Sequence, residues 1–110
     1  MVENTALAAV TFMKDRLLET GLKLDRVILF RSQARGAAAA ESDIDVIIIS
    51  EDFNDKDIFK RVRITKEAEI MTIRKFMIPL DIMTLTPDEF DDDDSLLAAY
   101  AKGGKVIYRA

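Results

Sequence analysis

The sequence predicts an α/β domain, a small mixed β-sheet of three or four strands flanked by helices. Three observations carry this expectation. Val27-Ile28-Leu29-Phe30 and Val46-Ile47-Ile48-Ile49 are nearly continuous apolar runs of strand length, the mark of strands covered on both faces. Long stretches with apolar residues at three- and four-residue steps lie before the first run and after the second, as amphipathic helices require. A further apolar run at Leu80 to Leu85 follows Ile78-Pro79, where proline ends a helix and lets a strand begin. The 110 residues suit one domain, 1–110, which at this size buries roughly two-thirds of its unfolded surface.

Composition narrows the chemistry. Hydrophobic residues are 49% and charged residues 33% of the chain, a balance that argues for a packed core and against disorder. No apolar run approaches the ~18 residues of a membrane span. Val2 to Ala9 contains an acid and lacks a basic flank, so no signal peptide is expected and the cytoplasm is the expected location. There is no cysteine, which removes disulfides, thiolate zinc sites and cysteine nucleophiles. There is no histidine either, so acid–base or metal chemistry must run on Asp and Glu. A net charge of −4 does not fit non-specific nucleic-acid binding, which rests on basic patches.

Taken in order, residues 4–20 are expected to form a helix. Leu7, Val10, Met13 and Leu17, with Phe12, make its apolar side; Asn4 is the expected N-cap and Gly21 the stop. Leu24 to Phe30 follows as a strand. Ser32 to about Ala39 is expected to be a short helix, since four consecutive alanines favour one; a low-complexity surface turn is the other reading. Asp43 to Ser50 is the second buried strand. A strand, short helix and strand are too compact for a parallel crossover, so these two strands should be antiparallel neighbours.

Glu51 to Asn54 is a polar turn, and a long helix is expected from about Asp55 to Lys75. Its apolar stripe is taken as Ile58, Phe59, Val62, Ile70, Ile73 and Met77. It is also the most basic segment, either a solvated face or a contact for phosphate or a partner. Leu80 to Leu85 is the third strand. Thr86-Pro87 looks like an N-cap followed by proline at the first helical position. Asp91 to Asp94 should be a solvated loop before a helix Ser95 to Lys102, which Gly103-Gly104 ends. Lys105 to Tyr108 is expected as a final edge strand.

The stretch Phe30 to Ile49 concentrates the chemistry. Asp43 and Asp45 are two residues apart at the mouth of a strand, so their side chains share a face. That pair can clamp a divalent cation, and Mg²⁺ favours one or two carboxylates plus substrate phosphates. Ser32 lies where a strand should turn into a helix, a place where amide N–H groups and the helix dipole cradle an anion. A polar strand entry, with Ser42 and Asp43 finishing a turn, is the plain alternative. Asp81 is the only charged residue of its apolar strand. It is expected to meet a cation or to shift toward neutrality, a salt bridge to a helix Lys or Arg being one outcome.

Ser32, the ten residues Gln33 to Ser42, and Asp43-Ile44-Asp45 resemble the nucleotidyltransferase signature of Gly-Ser, ten residues and Asp-x-Asp. The inner Ala34-Arg35-Gly36 and the Ser42-Asp43-Ile44-Asp45 box also resemble the family. Because the chain is short, it looks like the stand-alone minimal nucleotidyltransferases (MNT) of the DNA polymerase beta-like superfamily, several of which are antitoxins paired with a HEPN-domain protein. The resemblance implies a nucleotidyltransferase fold. It implies two Mg²⁺ ions held by Asp43, Asp45 and Asp81, with Asp81 acting as general base for the incoming hydroxyl or assisting the second ion, and transfer of AMP from ATP to a hydroxyl such as a tyrosine of the partner. Ser32, Arg35, Gly36 and Ser42 would form the nucleotide loop. The chain stops at Ala110, so the half of the site that binds the acceptor is expected from a HEPN-type helical subunit or a second copy of this chain.

The departure from the pattern is Arg31, which stands where the family has glycine. Backbone approaches phosphate most closely there, and glycine suits it for want of a side chain. Arg31 either blocks the triphosphate or pairs with it bidentately. Two rivals therefore stand beside the transferase reading. One is a catalytically silent subunit that acts by contact; the other is a transferase for RNA ends or a small molecule.

Overall fold

The computed structural model describes residues 2–31 and 44–110. Among these residues the order is helix α1 (Val2–Glu19), strand β1 (Leu24–Arg31), strand β2 (Ile44–Ser50), a 3-10 turn (Glu51–Phe53), helix α2 (Ile58–Phe76), strand β3 (Leu80–Leu85), helix α3 (Pro87–Phe90), helix α4 (Leu96–Lys102) and strand β4 (Lys105–Arg109). The strands form one sheet of order β3-β2-β1-β4. The fold class is the expected one: a four-stranded mixed sheet flanked by helices. β1 is antiparallel to β2 and to β4, while β2 and β3 run parallel. The parallel pair is possible because α2 supplies the long crossover that such a connection needs.

Both faces of the central strands are covered. Ile44, Val46 and Ile48 of β2 join Val27 and Leu29 of β1 in a core with Val10, Met13 and Leu17 of α1 and Ala68 of α2. Ile47 and Ile49 join Ile28, Leu85, Phe90 and Ala101 on the opposite face, under α3 and α4. Val46 to Ile49 are fully buried, which explains why β2 reads as an unbroken apolar run instead of an alternating one. Each such side chain contributes about 1.5–3 kcal/mol.

Three details differ from the sequence reading. α1 begins at Val2, so Asn4 lies inside the helix and is not its cap. The expected Asp55 start of α2 is displaced: Asp55 adopts φ 61°, and Asp57 caps the helix by accepting from the Lys60 amide. The larger correction concerns the stripe of α2. Ile58, Phe59, Val62, Ile70 and Met77 are exposed, whereas Thr65, Ala68 and Thr72 are buried and Ile64 and Ile73 pack against the core. Ala68 packs in the cluster that holds Val10, Met13 and Leu17 of α1, and the Thr72 hydroxyl disposes of its polarity by donating to the Ala68 carbonyl at 2.7 Å.

Other local signals are met. Gly21 ends α1 with φ 91°, and Thr86 makes a capping box with Glu89 at the start of α3. Asp91 to Asp94 lie exposed ahead of α4, whose N-cap is Ser95. The predicted helix over 32–39 lies outside the described residues. Among the described residues, no helix is long and apolar enough to cross a membrane.

Candidate active site

The site is built from the strand register. β2 and β3 pair in parallel as Ile44↔Leu80, Asp45↔Asp81 and Val46↔Ile82. Asp45 and Asp81 are thus side by side at the same end of adjacent strands, with backbones roughly 4.8 Å apart across the sheet. Alternation puts Asp45 on the face of Ile47 and Ile49, and Asp81 on the face of Met83 and Leu85. That is the side covered by α3 and α4. On the other flank of β2, Phe30 pairs with Asp45 across the antiparallel ladder. A row of three residues, Phe30, Asp45 and Asp81, therefore runs across the end of the sheet.

α4 closes this row from above. The Tyr100 ring stacks on Phe30 with centroids 4.2 Å apart and planes 13° from parallel, and its hydroxyl donates to Asp45 Oδ2 at 3.3 Å. Burial first, then the charge of Asp45 and this hydrogen bond, and lastly the charge of Asp81 hold the phenol above the usual tyrosine range. Tyr100 consequently remains a proton-bearing donor at neutral pH. Gly104 makes the stack possible from below: a Cβ there would lie 2.5 Å from the Phe30 ring and from Ile28.

Asp81 is exposed, and among the described residues no ion pair reaches it. The expected salt bridge to a helix Lys or Arg is absent from that set because the neighbouring position on α2 is an acid. Glu69 of α2 lines the same cleft as Asp81, and its carboxyl is raised above the usual range by burial and then by the negative charge of Asp81. The lone acid in an apolar run needs no buried counter-ion here, since it sits on an edge strand.

Of the predicted site residues, the structure brings Asp45 and Asp81 together. Arg31 ends β1 opposite Ile44, one residue beyond Phe30. Ser32, Arg35, Gly36, Ser42 and Asp43 lie outside the described residues. The donors present are hard carboxylate oxygens, which suit Mg²⁺ and not a soft thiophilic metal. Among the described residues no group of three or more acidic side chains could hold one ion, and the expected further ligand, Asp43, is not among them. Phe30, Tyr100 and Glu69 were not singled out from the sequence. For Tyr100 the available signal was a hydroxyl-bearing aromatic among the leucines and alanines of Leu96 to Lys102.

A mixed sheet carrying two register-paired acids at one end, with the aromatic stack of Phe30 and Tyr100 beside them, defines an α+β domain. Residues 15–110 match the family profile described as "Polymerase beta, Nucleotidyltransferase". The chain belongs to that nucleotidyltransferase family. Among solved structures it is similar to a Sulfolobus solfataricus protein provisionally assigned as a nucleotidyltransferase, with a TM-score of 0.60 and 17% identity over 98% of this chain and 86% of that one. At that identity the likeness concerns the fold. No curated protein sequence matches the chain.

Proposed function

We propose that this chain transfers a nucleoside monophosphate, AMP from Mg·ATP in the first instance, to a hydroxyl group of a partner polypeptide. The observation that carries the reading is the register pair Asp45↔Asp81, which brings a carboxylate of the signature and the acid of the third strand to the same end and face of the sheet. Asp43 and Asp45 would hold a divalent cation, with Asp81 beside Asp45 on the same face. Bound there, Mg²⁺ supplies charge neutralisation for a triphosphate. Asp81, exposed at the sheet edge, takes the proton of the incoming hydroxyl. The acceptor oxygen bonds to the α-phosphorus as the bond to pyrophosphate breaks. No covalent enzyme intermediate is needed, which suits a chain without Cys and His. On this reading the partner is a HEPN-type helical subunit and the chain acts as its antitoxin, as the resemblance implies.

A second reading is favoured by Arg31, the last residue of β1 and the neighbour of Ile44, directly before the signature loop. There the chain is a silent subunit whose nucleotide site is closed by one side chain. Calorimetric titration with Mg·ATP separates the two, using the chain beside Asp45→Ala and Arg31→Gly. The transferase reading expects binding by the unaltered chain and a loss of about tenfold or more in Asp45→Ala. Binding by Arg31→Gly alone would give the silent subunit the better case. Binding that survives Asp45→Ala would sink the assignment of the metal site.

A further inference from the structure

Among the described residues β3 is an edge strand, and its unpaired edge is identified by the phase of its hydrogen bonds. The Pro79 carbonyl accepts from the Ile44 amide of β2 at 3.2 Å, so odd-numbered residues of this segment turn their backbone groups toward β2. The Thr84 carbonyl confirms the alternation by turning outward, where Arg61 Nη1 donates to it at 3.4 Å. Ile82 and Leu80 share the outward phase, and among the described residues no partner takes up the outward groups of Ile82. A row of unpaired N–H and C=O groups is a template for another strand.

This edge floors a trough. A cleft of about 580 Å³ runs along Leu80 to Thr84, a floor of five residues and roughly 16 Å at strand rise. One wall is a single face of α2, with Ile58, Val62, Thr65 and Glu69 at helical spacing; Leu97 of α4 stands on the other side. Ile58 is 67% and Val62 48% exposed, apolar surface at the lip of a slot as long as a strand. Arg61 ends the trough at Thr84, fixed by two hydrogen bonds to the Glu89 carboxylate at 2.9 and 3.2 Å. Asp81 lies in the floor near the other end.

We infer that this trough docks the acceptor as an extended polypeptide segment, added beside β3 as a fifth strand with its reacting hydroxyl in register with Asp81. The inference rests on the transferase reading for the reaction, though not for the docking. Main-chain bonding to Ile82 supplies affinity, and the two lips read alternate side chains. A residue opposite Asp81 on an added strand points to the same face as Asp81. A Ser, Thr or Tyr hydroxyl placed there meets the carboxylate that accepts its proton. Neighbouring side chains of the segment turn the other way, toward Ile58 and Val62.

The test is amide hydrogen exchange by NMR on the full chain without nucleotide. The probes are short peptides of alternating Val and Thr with a central Ser, Thr or Tyr. Docking expects exchange of the Ile82 amide to slow about tenfold or more while the β2-facing amides of β3 change little, and expects Val62→Glu to abolish the effect with its buried β1 amides still protected. No slowing at Ile82 with any of the peptides, or the same slowing produced by an RNA oligonucleotide, would overturn the proposal. Label transfer from α-labelled ATP to the same peptides is read separately. Protection at Ile82 without transfer leaves the docking standing and counts against the transferase reading alone.

Discussion

At the scale of single residues, Asp81 and Glu89 show how position changes the meaning of a carboxylate. Asp81 is exposed, and its negative charge helps hold the carboxyl of Glu69 above the usual range. Glu89 is the reverse case. It accepts twice from Arg61 and once from the Thr86 amide at 2.8 Å, and the Arg61 hydrogen bonds hold its carboxyl below the usual glutamate range. A depressed carboxyl stabilises the fold above its unfolded pKa, and that stability is lost as pH falls through the folded value. Comparing Glu89→Gln with the parent by denaturant melts should therefore show a deficit near pH 7 that closes on acidification. With Glu89 side-chain exposure at 46%, solvent screening keeps the deficit under about 1 kcal/mol. A deficit that persists below the glutamate range would assign it to the capping geometry and not to charge. The spacing in the sequence singled out Asp45 as a candidate; its tie to Tyr100 was not legible, because the two are far apart in sequence and meet only in the fold, where Tyr100 stacks on Phe30.

At the scale of elements, boundaries followed chemistry that the sequence displays openly, while faces did not. Thr86-Pro87 marked the start of α3, and Leu80 to Leu85 emerged as a strand with the expected bounds. The stripe of α2 was misassigned because hydrophobicity was weighed without size. Ala68, Thr65 and Thr72 fit the narrow gap against the core, and the larger Ile58, Phe59 and Val62 remain outside. Gly104 offers a direct probe of how tightly β4 and α4 clamp the aromatic stack. Gly104→Ala forces its methyl against Ile28 and Phe30 and should cost about 1–3 kcal/mol. In a thermal melt that is a fall of roughly 4–8 °C per kcal/mol. An unchanged melting temperature would mean that Phe30 and Tyr100 yield easily, and the lid over Asp45 would then be loose.

At the scale of the whole molecule, the sheet has a firm middle and an open margin. β1 and β2 are paired on both sides and covered on both faces, so their amides should exchange slowest, approaching the global unfolding limit. The outward amides of β3 should exchange orders of magnitude faster than their β2-facing neighbours, in the unliganded chain measured by the same NMR experiment. Uniform protection along β3 would mean that its margin is already occupied. The antiparallel pairing of β1 with β2 was foreseeable from the short connection. The parallel alignment of β3 with β2 was not argued from sequence, since it depends on where α2 delivers the chain and not on any residue of β3.

That delivery has a consequence for how such a site is inherited. Between the end of α2 at Phe76 and the start of β3 at Leu80 lie only Met77, in a left-handed conformation at φ 56°, Ile78 and Pro79. Side chains alternate with period two, so a register slip of one residue would turn Asp81 to the opposite face, away from Asp45. A slip of two would leave Met83 or Pro79 beside Asp45 instead. A substitution at these three linking positions can be absorbed by local adjustment, but an insertion or deletion there edits the address of a carboxylate elsewhere. The meeting of Asp45 and Asp81 is written in the length of that link as much as in the two acids themselves.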